Sequence, residues 1–112
     1  MNKMSIEELK KKIDEVKVMP DWIALKLSTT VLTSFLAEIK KVFKKLDGCD
    51  WKGVIDDLAG TQGWVAAFKI TLENAGLEDV WMFYDGLEWW ESDLFCGEVA
   101  ELMIKSWDII EI

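Results

Sequence analysis

Between Val80 and Glu91 the chain groups five aromatic rings, Trp81, Phe83, Tyr84, Trp89 and Trp90, around an Asp85-Gly86 pair. No other stretch restricts the fold as much. Two apolar arms about Asp-Gly form the strongest short-range hairpin signal, because both central residues of a type I′ turn need positive φ. Pairing about that turn sets Tyr84 opposite Leu87, Met82 opposite Trp89 and Trp81 opposite Trp90. Cross-strand pairs of this kind stabilise a ribbon by roughly 0.2–1 kcal/mol each. A helix competes for the same residues, since Leu77, Val80, Trp81, Tyr84 and Leu87 fall at i, i+3, i+4, i+7 and i+10 and share one helical face. The hairpin is preferred because Gly inside a helix costs roughly 1 kcal/mol. The expected fold is therefore α+β: a mainly helical single domain over residues 1–112, with about five helices and one small aromatic hairpin near 80–91. An all-α fold is the alternative.

The remaining chain reads as helices separated by clear stops. Ser5-Ile6-Glu7-Glu8 forms a capping box, and Ile6, Leu9, Ile13 and Val16 follow on one face. That helix ends near Val18-Met19, because Pro20 disfavours the α region in the residue before it. Pro20-Asp21 opens a new element, with Asp favoured at the positive end of the helix dipole. Residues 22–46 read as helical, with a break expected at 28–30. The alternation over 23–28 also admits a short strand. Gly48 closes the helix, and Asp50 caps a short one over 51–58 with Trp51, Val54, Ile55 and Leu58 on its apolar face. After the loop Gly60-Thr61-Gln62-Gly63, a helix over 64–75 presents Trp64, Phe68 and Leu72 and stops at Gly76. Ser92 is expected to cap a last helix, about 93–106, carrying Phe95, Val99, Leu102 and Met103.

With 51% hydrophobic residues the chain folds rather than staying disordered. It has no apolar run of about 18 residues to span a membrane and no apolar leader after Met1, so a cytoplasmic location is expected. Cys49 and Cys96 are expected to be free buried thiols rather than a disulfide. The net charge of −8 conceals an asymmetry. Residues 1–70 carry ten acids against twelve lysines, a net of +2, whereas residues 71–112 carry eleven acids against Lys105 alone, a net of −10. Such a field repels nucleic acid and anionic lipid and attracts a basic partner. All thirteen cations are lysines, so the planar fork that binds phosphate in bidentate fashion is missing.

Enzymatic chemistry finds little support in these residues. No His is present to serve as the base of a nucleophilic dyad or triad. The two cysteines stand 47 positions apart, unlike zinc ligands, and Asp47-Gly48-Cys49-Asp50 does not match a calcium loop. Asp56-Asp57 reads as a solvated helix face. Gly60-Thr61-Gln62-Gly63 opens a helix, where anions bind, but lacks the Lys-Ser or Lys-Thr of a phosphate loop. On two strands Glu88 and Glu91 fall on opposite faces, which does not set two carboxylates around one glycosidic bond. The lysines at 40, 41, 44 and 45 form a basic stripe without Arg or interleaved aromatics and read as a solvated face. No enzyme, metal site or cofactor is expected.

The seven tryptophans need a place, and a core of this size cannot easily bury all of them. Trp22, Trp51 and Trp64 are assigned to the core. Along a ribbon Trp89 and Trp90 must point to opposite faces, so one of them looks away from the helices. Glu88, Glu91 and Asp93 surround that position, and aromatic anchors inside an acidic rim suit a basic protein groove. Asp85, Glu88, Trp89, Trp90, Glu91 and Asp93 are therefore the candidate partner-binding residues. Small, acidic, histidine-free chains of this type resemble bacterial toxin-immunity proteins and phage inhibitors of nucleic-acid enzymes. The resemblance is one of type and rests on no motif. It implies a cytoplasmic protein without enzymatic activity that occupies the basic, nucleic-acid-binding site of a target protein, acting as a nucleic-acid mimic without touching nucleic acid or membrane itself. The alternative is a helical module whose cleft, lined by Trp and Met, holds a small apolar or aromatic ligand, or that forms a homodimer.

Overall fold

The structure, a computed structural model, describes residues 17–111. The expected helix from Ser5 lies outside the described residues. Among the described residues seven α-helices follow in order: α1 (Asp21–Lys26), α2 (Thr29–Val42), α3 (Trp51–Leu58), α4 (Gln62–Asn74), α5 (Glu78–Asp85), α6 (Trp89–Lys105) and α7 (Trp107–Ile110), with a 3-10 turn at Lys44–Leu46. No strand occurs among the described residues. The fold is all-α, and the α+β expectation is corrected.

The correction is local and physical. Residues 80–91 form the end of α5, a short turn and the start of α6. Gly86 lies one residue past the end of α5, with φ −84 rather than the positive φ of a type I′ turn. Its N–H donates to the Met82 carbonyl at 3.2 Å, and the Leu87 N–H donates to that of Tyr84 at 3.1 Å. A terminal glycine escapes the interior penalty that favoured a hairpin. The competing spacing prevails: Val80 is fully buried, and Leu77, Trp81, Tyr84 and Leu87 pack against the core. A lone ribbon would have paired Tyr84 with Leu87, Met82 with Trp89 and Trp81 with Trp90. It would have had no sheet to join, and isolated two-stranded ribbons are marginal in water.

The break expected at 28–30 comes slightly early. Pro20 stands in an extended conformation before α1, which buries Ile23 and has Leu27 as its C-cap. The alternation over 23–28 is helical and gives no strand. Ser28 then caps α2, its Oγ accepting from the Val31 N–H at 3.4 Å. Leu32, Phe35, Leu36 and Ile39 form the buried face of α2, and Lys40 and Lys41 stand at its negative end. Asp50 precedes α3, which spans the expected residues and buries Trp51 and Ile55. Thr61 caps α4, accepting from the Trp64 N–H at 3.4 Å, so this helix starts two residues earlier than expected. Gly48, Gly60 and Gly76 take positive φ in the connections.

The core lies between α2 and α4, with α5 packed on α4, α6 packed on α3, and α7 turning back onto α2. Phe68 of α4 is its hub. Its ring lies 5.2 Å from Phe35, 5.3 Å from Trp64, 5.9 Å from Tyr84 and 6.1 Å from Phe95, so four helices meet through one side chain. Gly63 permits close approach at the start of α4, since a Cβ there would stand 2.8 Å from Val42 Cγ1. The carboxylate of Glu98 on α6 accepts from the N–H groups of Val18 and Met19 at 3.2 and 2.9 Å. It thereby ties the chain before Pro20 to the last long helix.

Candidate docking surface

The six residues singled out from the sequence lie together at the corner where α5 turns into α6, but on helices instead of strands. Asp85 is the last residue of α5, Glu88 is the N-cap of α6, and Trp89, Trp90, Glu91 and Asp93 occupy its first turns. Helix α6 thus begins four residues before the expected start. Ser92 lies inside it, where its hydroxyl donates to the Trp89 carbonyl at 2.8 Å.

Helical geometry changes what each residue does. Both indoles face solvent, Trp89 at 77% and Trp90 at 45% exposure, where a ribbon would have released only one. The first turn of a helix precedes the part of α6 that contacts the core; the buried positions start at Phe95. Glu91 is half-buried, and its Oε1 accepts the Glu88 N–H at 3.3 Å, half of a capping-box arrangement. Glu88 and Glu91 stand at the positive end of the α6 dipole, where each carboxylate is favoured, whereas Asp93 lies just past the first turn. Part of the acidic crowding therefore serves the helix start. Glutamate at the N-cap gives a weak sequence signal, because capping boxes favour Ser or Thr at that position. Among the described residues no lysine forms an ion pair with Asp85, Glu88, Glu91 or Asp93. Asp93 also stands beside the turn before α4, its Oδ1 being 3.7 Å from where a Cβ on Gly60 would lie.

The other tryptophans divide differently from expectation. Trp51 and Trp64 are buried, as assigned. Trp22 is not: it lies on the outer side of α1, 41% exposed, with its ring edge on Phe83 at 6.1 Å. Trp64 is fully buried, and its Nε1–H has no hydrogen-bond partner among the described residues. A groove of about 390 Å³ runs between α2 and α4. Thr30, Ser34, Ala37, Thr71 and Ala75 contribute to its walls, and neither Trp nor Met does, so it is not the indole-lined cleft of the ligand-binding alternative.

Beneath the corner, Cys96 of α6 donates from Sγ to Tyr84 Oη at 3.7 Å. Burial pushes the Cys96 thiol up to about 11 and raises the Tyr84 phenol above its ordinary value. Both cysteines are free, Cys96 buried and Cys49 half-buried. A thiol raised this far carries almost no thiolate at neutral pH, so it is a poor nucleophile. Because the folded pKa of each group exceeds its unfolded value, their contribution to stability is complete below about pH 9 and is lost as pH rises. The thermal midpoint should accordingly fall between about pH 9 and 11, and Cys49 should react with iodoacetamide well before Cys96 in the folded protein. Equal labelling rates for the two thiols would contradict this arrangement.

No group of three or more acidic or thiol side chains among the described residues is placed to hold a metal ion. No helix among them is long and apolar enough to cross a membrane. Comparison with protein families, with curated proteins and with solved structures finds no match to this chain.

Proposed function

We propose that the protein is an all-helical binding module that docks through the α5–α6 corner onto the basic site of another protein, acting as an inhibitor or immunity-type protein. The observation that carries this reading is the exposure of Trp89 and Trp90 together on the first turn of α6, within a rim of Asp85, Glu88 and Asp93. Exposed indoles lose apolar surface to a partner with little loss of side-chain freedom, and they dominate binding energy at interface centres. The acidic rim adds orientation and speed of encounter more than affinity. A surface of this sign is complementary to a protein that binds nucleic acid, because such a protein presents lysine and arginine where phosphates would sit.

The capping role of Glu91, and the place of Glu88 at the helix start, determine the test. Lysine at either position would weaken α6 itself, so it would confuse docking with folding. Asp85 is the better probe, since it ends α5, where a cation suits the helix dipole. Asp85→Lys should leave the helical circular-dichroism signal and melting temperature unchanged. It should slow association with a basic partner by about threefold to tenfold at low salt, and the difference should shrink as salt rises above about 0.15 M. An association rate indifferent to both the substitution and the salt would remove the electrostatic part of the reading.

A further inference from the structure

The exposed acidic surface does not end at Asp85. Glu78, Met82 and Asp85 fall at i, i+4 and i+7 of α5, so they form one stripe along its outer side, about 10 Å long. Glu78 and Asp85 are exposed and make no ion pair among the described residues. Met82 between them is 72% exposed. Helix α1 lies beside this stripe. Trp22 touches Phe83 and Lys26 pairs with Asp79, so α1 and α5 run in opposite directions along their seam. Leu25 stands three residues after Trp22, and Met82 three after Asp79, which places both on the solvent side of that seam. Leu25 is 83% exposed. Lys26 is already occupied. Its hydrogen bond holds the Asp79 carboxyl below the usual carboxylate range, and its Nζ lies over the Trp22 ring, 5.3 Å from the centroid. Asp21 has Lys17 at 3.7 Å. The result is a shallow outer face with apolar Leu25, Met82 and part of Trp22, on which Glu78 and Asp85 are uncompensated.

We infer that this face seats a basic amphipathic helix of a partner protein, apolar on one side and flanked by lysine or arginine. The inference deepens the docking role of the corner and rests on it through Asp85, which the two surfaces share. Charge selects the sign of the occupant. Two unpaired carboxylates repel a second copy of an acidic chain and attract cations. Cations on the partner meet Glu78 at one end of the stripe and Asp85 at the other. Shape selects a helix. The described residues offer no strand edge for an extended segment to join. A helix laid along a groove instead presents apolar residues at i, i+3, i+4 and i+7. That stripe lies on Leu25 and Met82, with its cations on either side. Unbranched methionine adapts to side chains of different shape, and the Trp22 ring supplies a rigid aromatic floor. The face is small, so binding should be weak, at about micromolar strength.

The probe is a lysine–leucine peptide of about sixteen residues, with leucines at i, i+3, i+4 and i+7 so that they line one side of a helix. Calorimetric titration into the full chain should show saturable binding. A peptide of the same composition in scrambled order should bind at least about tenfold more weakly. Leu25→Ser with Met82→Ser should raise the dissociation constant by at least about tenfold, with unchanged helical content and melting temperature. Glu78→Gln should weaken binding by about twofold to fivefold at low salt, and the difference should shrink above about 0.15 M. Trp89→Ala with Trp90→Ala should change it by less than about threefold, because those indoles stand on the next helix. Equal binding of the two peptides would overturn the inference, since charge alone would then suffice. Unchanged affinity in the serine variant would overturn it too, and a loss confined to the indole variant would do so while leaving the corner reading intact. Failure of the corner reading shows separately, as target docking that ignores the indole substitutions. A dimer that dissociates on introducing the serines would also overturn the inference, since a second copy would then hold the face. So would a drop in their melting temperature, since the face would then be covered from within the same chain.

Discussion

Phe68→Ala is expected to lower the free energy of unfolding by about 3–5 kcal/mol, the usual range for a buried phenylalanine reduced to a methyl group. The expectation is at the upper end because Phe68 touches rings from α2, α5 and α6 as well as Trp64 on its own helix. Each of those ring pairs contributes beyond simple burial. Loss of the hub leaves Phe35, Tyr84 and Phe95 facing a void that no single rearrangement fills. A domain of this size has about 5–15 kcal/mol to lose, so the variant should retain its fold only at low temperature or denaturant. Urea unfolding followed by the tryptophan fluorescence of both proteins measures the difference. A loss below about 1 kcal/mol would mean that the aromatic cluster is not the centre of the fold. Trp64→Phe makes a useful companion. It removes ring volume, but it also removes a buried N–H without a partner among the described residues, whose burial costs about 1–3 kcal/mol. The two effects oppose, so this variant should be far milder than Phe68→Ala.

Replacing both exposed indoles has the second large effect, on binding instead of stability. Trp89→Ala and Trp90→Ala should each weaken docking to the target by about 2 kcal/mol, near thirtyfold, if the corner is the centre of the interface. Neither side chain supports the core, so melting temperature should change little, and the Glu91 contact to the Glu88 N–H remains. The loss should appear chiefly in the dissociation rate, because anchoring contacts form after encounter. Asp85→Lys should act mainly on association, so the two kinds of substitution separate anchor from rim. Full affinity in the double indole variant would end the case for this corner, whatever the salt dependence.

Much of the helix order was readable from single residues. Pro20 before α1, Ser28 before α2, Gly48 and Gly76 at positive φ, and the apolar spacing of Phe35 and Ile39 all act within a few residues of where they stand. The Val80–Glu91 stretch was misread because both periods fit it and a propensity of about 1 kcal/mol decided between them. Burial of Val80 and the rings packed around Tyr84 outweigh that term, and those contacts come from α4 and α6, far away in sequence. Trp22 was misplaced for the same reason: a short helix does not reveal which side its neighbours cover.

The amino acids by themselves determined the charge division, the absence of histidine and arginine, the clustering of Asp85 to Asp93 and the positions of most helix ends, because composition and capping are local properties. Only the tertiary structure decided that the described residues form helices and no strand, that both Trp89 and Trp90 reach solvent, and that Trp22 lies outside the core. Those outcomes depend on which helix packs against which, and packing free energy between distant segments is larger than any preference written into one of them.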